Sequence, residues 1–376
     1  MKTILTLTLV ASAGGVPIAD AGRLLVHPAQ QVPRCALARS GRVATIGMAK
    51  DAAVSTPGAN PPVATTVLHQ IADVPLPGQP VRFDYQTLDT TSGRLYISHM
   101  NDGHVVAFDT RMRRVTGEVP NVPRVTGVWV VPETHRLYAS VTGHHNVAII
   151  DVPALSVRAT AGPIGFPDGI AYAPGVKRVF VSDESGGGEL VIDGVTDRVV
   201  ATIPLGGEAG NTKFDGGSGC ILVAVQTLNQ IAAIDPATAT VVGRFALVRA
   251  NHPHGMYVDA PNRMLFVANE GNATVEVVDL RSMEVVSVAP VGAGPDVLAL
   301  DPAWHRLYVA TESGGLWVYQ VQGKRLAAVG VLDLPHAHTV AVDAVTHMVY
   351  LPLQNLDGRP TLRILAGVQS SDAVKP

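Results

Sequence analysis

Arg94-Leu95-Tyr96-Ile97-Ser98 is a short apolar run between polar turns, and the same phrase returns along the chain. It reappears as Arg136-Leu137-Tyr138-Ala139-Ser140, Arg178-Val179-Phe180-Val181-Ser182 and Ile221-Leu222-Val223-Ala224. Met264-Leu265-Phe266-Val267-Ala268, Arg306-Leu307-Tyr308-Val309-Ala310 and Met348-Val349-Tyr350-Leu351 complete the series. The spacing is 42 or 43 residues throughout, as between Arg94, Arg136 and Arg178, and that period falls in the range of propeller blades. A few residues after each copy comes an alternating run, which in five of them closes on Asp109, Asp151, Asp193, Asp235 or Asp279. The run around Trp317 to Tyr319 lacks the Asp.

β-Branched and aromatic residues alternating with polar ones, separated by Gly, Pro and Asp, read as half-buried antiparallel strands. An Asp that ends such a strand can accept bonds from the turn backbone and begin the next hairpin. Nothing of comparable strength has helical spacing. Seven units of four strands predict an all-β, seven-bladed β-propeller, whose radial repetition leaves only short sheet edges. The last unit runs out after a third strand near Thr361 to Leu365, while Thr65 to Val74 has strand character but no unit of its own. The N-terminal strand is therefore expected to complete the last blade.

Leu307-Tyr308-Val309-Ala310 and Leu265-Phe266-Val267-Ala268-Asn269, with blade openings such as Pro253-His254-Gly255 and Pro167-Asp168-Gly169, resemble the YVTN-repeat family of seven-bladed propellers, including YncE-like periplasmic proteins. The resemblance covers residues 65 to 367. It implies a fold more than an activity, because propellers carry unrelated functions.

Composition limits the function classes. Of 376 residues 16% are charged and 47% hydrophobic, which excludes wholesale disorder, and a formal net charge of −3 provides no basic footprint for nucleic acid. Aromatics make up 5%, too few for the stacking platforms of a single-strand binder. No apolar run has the length of a membrane-spanning helix, so no transmembrane anchor is expected. Lys2, the apolar run Ile4 to Ala11 and the small residues at Ala11-Ser12-Ala13 and Ala19-Asp20-Ala21 have the layout of a secretory signal peptide. The expected organisation is a signal peptide over 1–21, a flexible lead-in over 22–64, the propeller over 65–367 and a tail over 368–376. The expected location is periplasmic or secreted, or cytoplasmic should Met48 be the true start. Cys35 and Cys220 match no zinc or redox spacing. They are read as one incidental and one buried thiol, with a single bridge left open.

The innermost strand of each blade lines the axis, so residues at its start converge. Aligning the units puts Asp84, Thr126, Asp168, Asn211, His254, Asp296 and His338 at one shared position, and all seven are polar. A second tier follows the middle strand, with His99, Asp183, Glu184, Gln226, Asn269, Glu270 and Glu312 at its outgoing end. Both tiers should rim the same mouth. Tyr85 in Arg82-Phe83-Asp84-Tyr85 reads as a wall over the funnel or a plug in it. The expected ligand-binding set is Asp84, Tyr85, His99, Thr126, Asp168, Asp183, Asn211, His254, Asn269, Asp296 and His338. The first functional expectation is a monomeric binding module for a small molecule, peptide or extracytoplasmic partner. The alternative is a metal-dependent lactonase, hydrolase or lyase, by architectural analogy with propeller lactonases of the gluconolactonase type. In it Asp84, Asp168, Asn211 and Asp296 hold a divalent ion, since carboxylate and amide oxygens suit hard cations. His254 or His338 would then act as general base, with an imidazole pKa suited to neutral pH.

Overall fold

The computed structural model describes residues 34–37, 43–54, 67–334 and 336–368. The signal-peptide reading of 1–21, the remainder of the lead-in and residues 369–376 of the tail lie outside the described residues. Seven blades of four antiparallel strands are arranged as the repeat predicts. Their innermost strands are Gln86–Asp89, Val125–Val131, Pro167–Ala173, Ala209–Asp215, Pro253–Asp259, Pro295–Asp301 and Ala341–Asp343. Leu68–Pro75 pairs antiparallel with Arg359–Gly367 and supplies the outer strand of the last blade, so both ends of the ring meet in one sheet.

The aromatic of the repeated phrase explains how blades lock together. Tyr96, Tyr138, Phe180, Phe266 and Tyr308 are fully buried. Each packs into the following blade: Tyr96 among Val128 and Leu137, Tyr138 among Ile170 and Val179, and Phe180 among Ile221 and Val223. Fully burying such a side chain contributes about 1.5–3 kcal/mol, so the repeat encodes the blade-to-blade interface as well as the strand. The turn aspartates act as expected. Asp109 Oδ1 accepts from the N–H groups of Arg111 and Met112, and Asp193 Oδ1 from those of Val195 and Thr196.

Two features depart from the sequence expectations. The segment read as a lead-in without strand character contains strands Val43–Ile46 and Met48–Val54. They add in parallel to the outer strands Thr240–Leu247 and Glu284–Pro290 of the fourth and fifth blades. Their sequences, VATI and MAKDAAV, carry little alternation because they cover an edge rather than build a core. The two cysteines are also not separate thiols: Cys35 is disulfide-bonded to Cys220, with Cys35 packed beside Leu222, Phe245 and Leu247 of the fourth blade.

One buried acid marks a local conflict. Glu276 is fully buried on the strand Thr274–Asp279, and among the described residues neither carboxyl oxygen has a hydrogen-bond partner. Burial pushes its pKa up to about 7. The unfolded carboxyl ionises at a lower pH, so the native state holds the extra proton and stability falls as pH rises from about 4.5 to 7. Replacing Glu276 by Met should remove that slope and raise stability at about pH 8 by about 3 kcal/mol. Chemical denaturation at pH 5 and pH 8 checks this, and equal slopes in both proteins would contradict it.

Candidate functional site

A recurrent irregularity in the inner strands builds the site. In blades two to six the ladder to the middle strand skips two residues just after the strand begins, as between Pro167 and Ile170, Pro253 and Met256, and Pro295 and Leu298. A bulge of this kind frees side chains from the sheet's alternation and re-aims them. The first freed residue is Thr126, Asp168, His254 or Asp296, and its neighbour is often glycine. At Gly127 and Gly255 a Cβ would lie 1.9 Å and 1.6 Å from the carbonyl oxygens of Asp168 and Asp296, so only glycine admits the next blade there. Asn211 falls one place later than the sequence alignment puts it: Gly210 matches Asp168, and Asn211 occupies the glycine position. Tyr85 occupies that same position in the first blade. These two exceptions meet at the axis, where Asn211 Nδ2 donates to the Tyr85 hydroxyl at 2.7 Å.

The ring is a packed floor rather than a wet funnel. Asp84, Thr126, Asp168, Asn211, His254, Asp296 and His338 are all buried. The Tyr85 hydroxyl also lies 3.1 Å from Asp168 Oδ2 and 3.1 Å from His254 Nε2, so Tyr85 is a plug. Across the axis, His338 Nε2 lies 3.0 Å from Asp84 Oδ1 and 2.9 Å from Asp296 Oδ2. Asp296 is shared, because its Oδ1 also lies 3.3 Å from His254 Nε2. The accessible rim is formed by Arg82, His252, Glu208, Glu270 and Glu312, with Arg82 Nη2 3.1 Å from Glu312 Oε1.

Other expected site residues have local duties. Thr126 donates to the carbonyl of Pro167. Asp183 accepts from the backbone N–H groups of Gly165, Phe166 and Gly186. His99 is fully buried and stacked on Phe83, and Asn269 donates to Thr274. Of the second tier, Glu270 and Glu312 approach the ring, with oxygens 3.9 Å from His254 Nδ1 and 3.6 Å from His338 Nδ1. Gln226 donates to Glu184.

Electrostatics divides these groups. Burial disfavours the imidazolium of His338, yet Asp296 and Asp84 raise its pKa to about 10. His254 is likewise lifted well above the ordinary range by Asp296 and Asp168, against burial. Asp296 stays ionised: burial would raise its pKa, but the two imidazoles pull it well below the carboxylate range. Burial, with Asp84, Glu184 and Asp296 nearby, outweighs His254 and pushes Asp168 up to about 7. Arg82 Nη2 lies 2.8 Å from His338 Nε2. That nitrogen cannot both accept from Arg82 and donate to two carboxylates, so the protonated imidazole leaves Arg82 to Glu312.

The donor set can hold a metal ion. Ligand atoms of Asp84, Asp296 and His338 lie within 4.8 Å of one another, as do those of His254, Glu270 and Asp296. Among the described residues His254 Nδ1 is buried without a hydrogen-bond partner, as expected of a group with capacity to spare. Asp168 is in neither group of three; its Oδ2 and the Asn211 amide both contact the Tyr85 hydroxyl. An imidazole with carboxylate oxygens suits zinc or manganese. Tyr85→Phe should cost about 1–3 kcal/mol, since Asp168, Asn211 and His254 lose one shared hydroxyl in a buried place. Thermal unfolding measures this, and an unchanged midpoint would show that the plug carries no stability.

Residues further along the inner strands were missed by sequence reasoning. A cavity of 620 Å³ is walled by all seven inner strands, among them Trp129, Tyr172, Phe214 and Tyr257, and Lys213 lines it. The legible signal was the single charge at the register position held elsewhere by Thr87, Trp129, Ala171, Tyr257, Ala299 and Ala341.

No protein-family model matches the sequence, and no characterised protein matches it. Among solved structures the chain is similar to one of Kuenenia stuttgartiensis hydrazine synthase, at 15% identity and a TM-score of 0.66, over 78% of this chain and 97% of that one. At that identity the likeness is one of fold, a seven-bladed propeller.

Proposed function

We propose that this protein is an exported, YVTN-repeat, YncE-like propeller that binds a small molecule, peptide or extracytoplasmic partner at its polar mouth, with a divalent cation as part of the site. The single observation that carries the reading is the convergence of Asp84, Asp296 and His338, from three blades, into one buried donor set. Glu270, Glu312 and Glu208 on the rim would draw a cation or cationic group toward it. The Cys35–Cys220 bridge is consistent with an oxidising compartment, and no helix among the described residues is long and apolar enough to cross a membrane. A bound ion would displace the His338 Nε2 proton, would be held by Asp84, Asp296 and His338, and would supply Lewis acidity or a bridge to ligand oxygens. Arg82, paired with Glu312, orients anionic groups at the entrance.

Chelator-treated protein titrated with Zn²⁺ or Mn²⁺ in a calorimeter should take up one ion per chain. Ion at about a hundredfold above Kd should stabilise the fold by about 2.7 kcal/mol, and His338→Ala should lose both effects. Failure of either ion to bind the wild-type protein at millimolar concentration rejects the cation. A metal-dependent hydrolase or lyase is the second reading, favoured because three protein ligands leave coordination positions for water. In it His254, across Asp296 from the donor set, is the base, because an ion that takes over Asp296 would release the imidazole's extra proton. Lactone turnover abolished by chelator distinguishes it from simple binding.

A further inference from the structure

Beyond the mouth, Lys213 stands in an unusual setting. Its neighbours Thr212 and Phe214 belong to the inner strand of the fourth blade, and its side chain lines the 620 Å³ axial cavity. That volume is in the range of small-molecule sites. The walls are predominantly aromatic and aliphatic, with Trp129 and Tyr257 contributed from the same register position as Lys213. Glu133, the acid that lines the cavity, already accepts from the Tyr172 hydroxyl. Among the described residues, no carboxylate lies in ion-pair contact with the Lys213 ammonium and it makes no hydrogen bond, although the residue is half-buried. Lys324, by contrast, is paired with Asp279.

We propose that the axial cavity binds a small aromatic or aliphatic carboxylate, with its apolar body against Trp129, Tyr257 and Phe214 and its carboxylate paired with Lys213. The site is separate from the cation site and does not depend on it. A carboxylate bound there would pair with the Lys213 ammonium, so ligand and charge stabilise each other. The apolar walls explain why the ligand needs a hydrophobic body: a small inorganic anion would pair with Lys213 but leave the aromatic surface wet.

Trp129 provides the reporter. Titrating the full chain with 4-phenylbutyrate should give saturable quenching of tryptophan emission, and 4-phenylbutanol should bind more weakly. Lys213→Met, which keeps length and apolar bulk, should weaken 4-phenylbutyrate binding tenfold or more while leaving 4-phenylbutanol unchanged. Lys213→Arg should retain the carboxylate preference and serves as the charged variant should the Met variant not fold. Trp129→Phe should lose the signal while calorimetry still detects binding. Equal affinity of wild type and Lys213→Met for 4-phenylbutyrate, or no saturable binding by the wild type up to about 10 mM, overturns the proposal. Zn²⁺ titration of Lys213→Met, expected to match wild type, keeps this result distinct from the fate of the cation site.

Discussion

Replacing Asp296 by Ala is expected to destabilise the metal-free protein by about 3–5 kcal/mol, the cost of removing one partner from a buried charged set. Two imidazoles lean on this one carboxylate, His338 at 2.9 Å and His254 at 3.3 Å. With it gone, both lose the group that contributes most to keeping them protonated, and neither can reach water to compensate. Asp84 and Asp168 remain, so the loss stops short of complete unfolding. Asp296→Asn, similar in shape but uncharged, should recover only a minor part. The same substitutions should abolish Zn²⁺ uptake, because Asp296 belongs to both possible donor sets. A denaturation series on the two variants and wild type decides the point. A loss below about 1 kcal/mol would mean that the ring is solvated and the charges independent.

Breaking the Cys35–Cys220 bridge should have the other large effect. It closes a loop spanning 185 residues, for which the chain-entropy model gives about 5 kcal/mol. The consequence is local before it is global. The ring is closed by the pairing of Leu68–Pro75 with Arg359–Gly367, which does not involve the bridge. Reduction should therefore first release the segment carrying Val43–Ile46 and Met48–Val54 from the fourth and fifth blades. Cys35→Ser is expected to lower the melting midpoint by about 5–10 °C and to increase hydrogen exchange in Thr240–Leu247 and Glu284–Pro290. Protected amides in those two strands after reduction would show that the edge strands hold without the covalent tie.

The fold was legible because its period is covalently fixed in the sequence. Tyr96, Tyr138 and Tyr308 return in phase, since each fills the same inter-blade space. The convergence of Asp84, Asp168, His254, Asp296 and His338 follows from that phase. Asn211 was misplaced by one residue because a skipped ladder pair leaves no mark in hydrophobic alternation. The ring's dryness was illegible for another reason. Polar residues about an axis suggest water, and although a plug was one reading of Tyr85, its contacts with Asp168, Asn211 and His254 from other blades leave no mark in the sequence. The two added strands were missed because edge-covering segments need no periodicity of their own, and the bridge, left open by the sequence, was disfavoured because Cys35 lies in that segment. Thr126 and Asp183 had the right position and polarity, but a neighbouring backbone claims their side chains.

The skipped pairs at Pro167 and Ile170, Pro253 and Met256, and Pro295 and Leu298 separate two kinds of information. Residues in ladder register build each blade, while of the looped-out pair the second, glycine at 127 and 255, admits the next blade and the first faces the axis. A change at the first of those places, such as 168, 254 or 296, leaves every inter-strand bond of its blade available. The specificity of the mouth can thus drift from one descendant to the next while the scaffold is inherited unchanged.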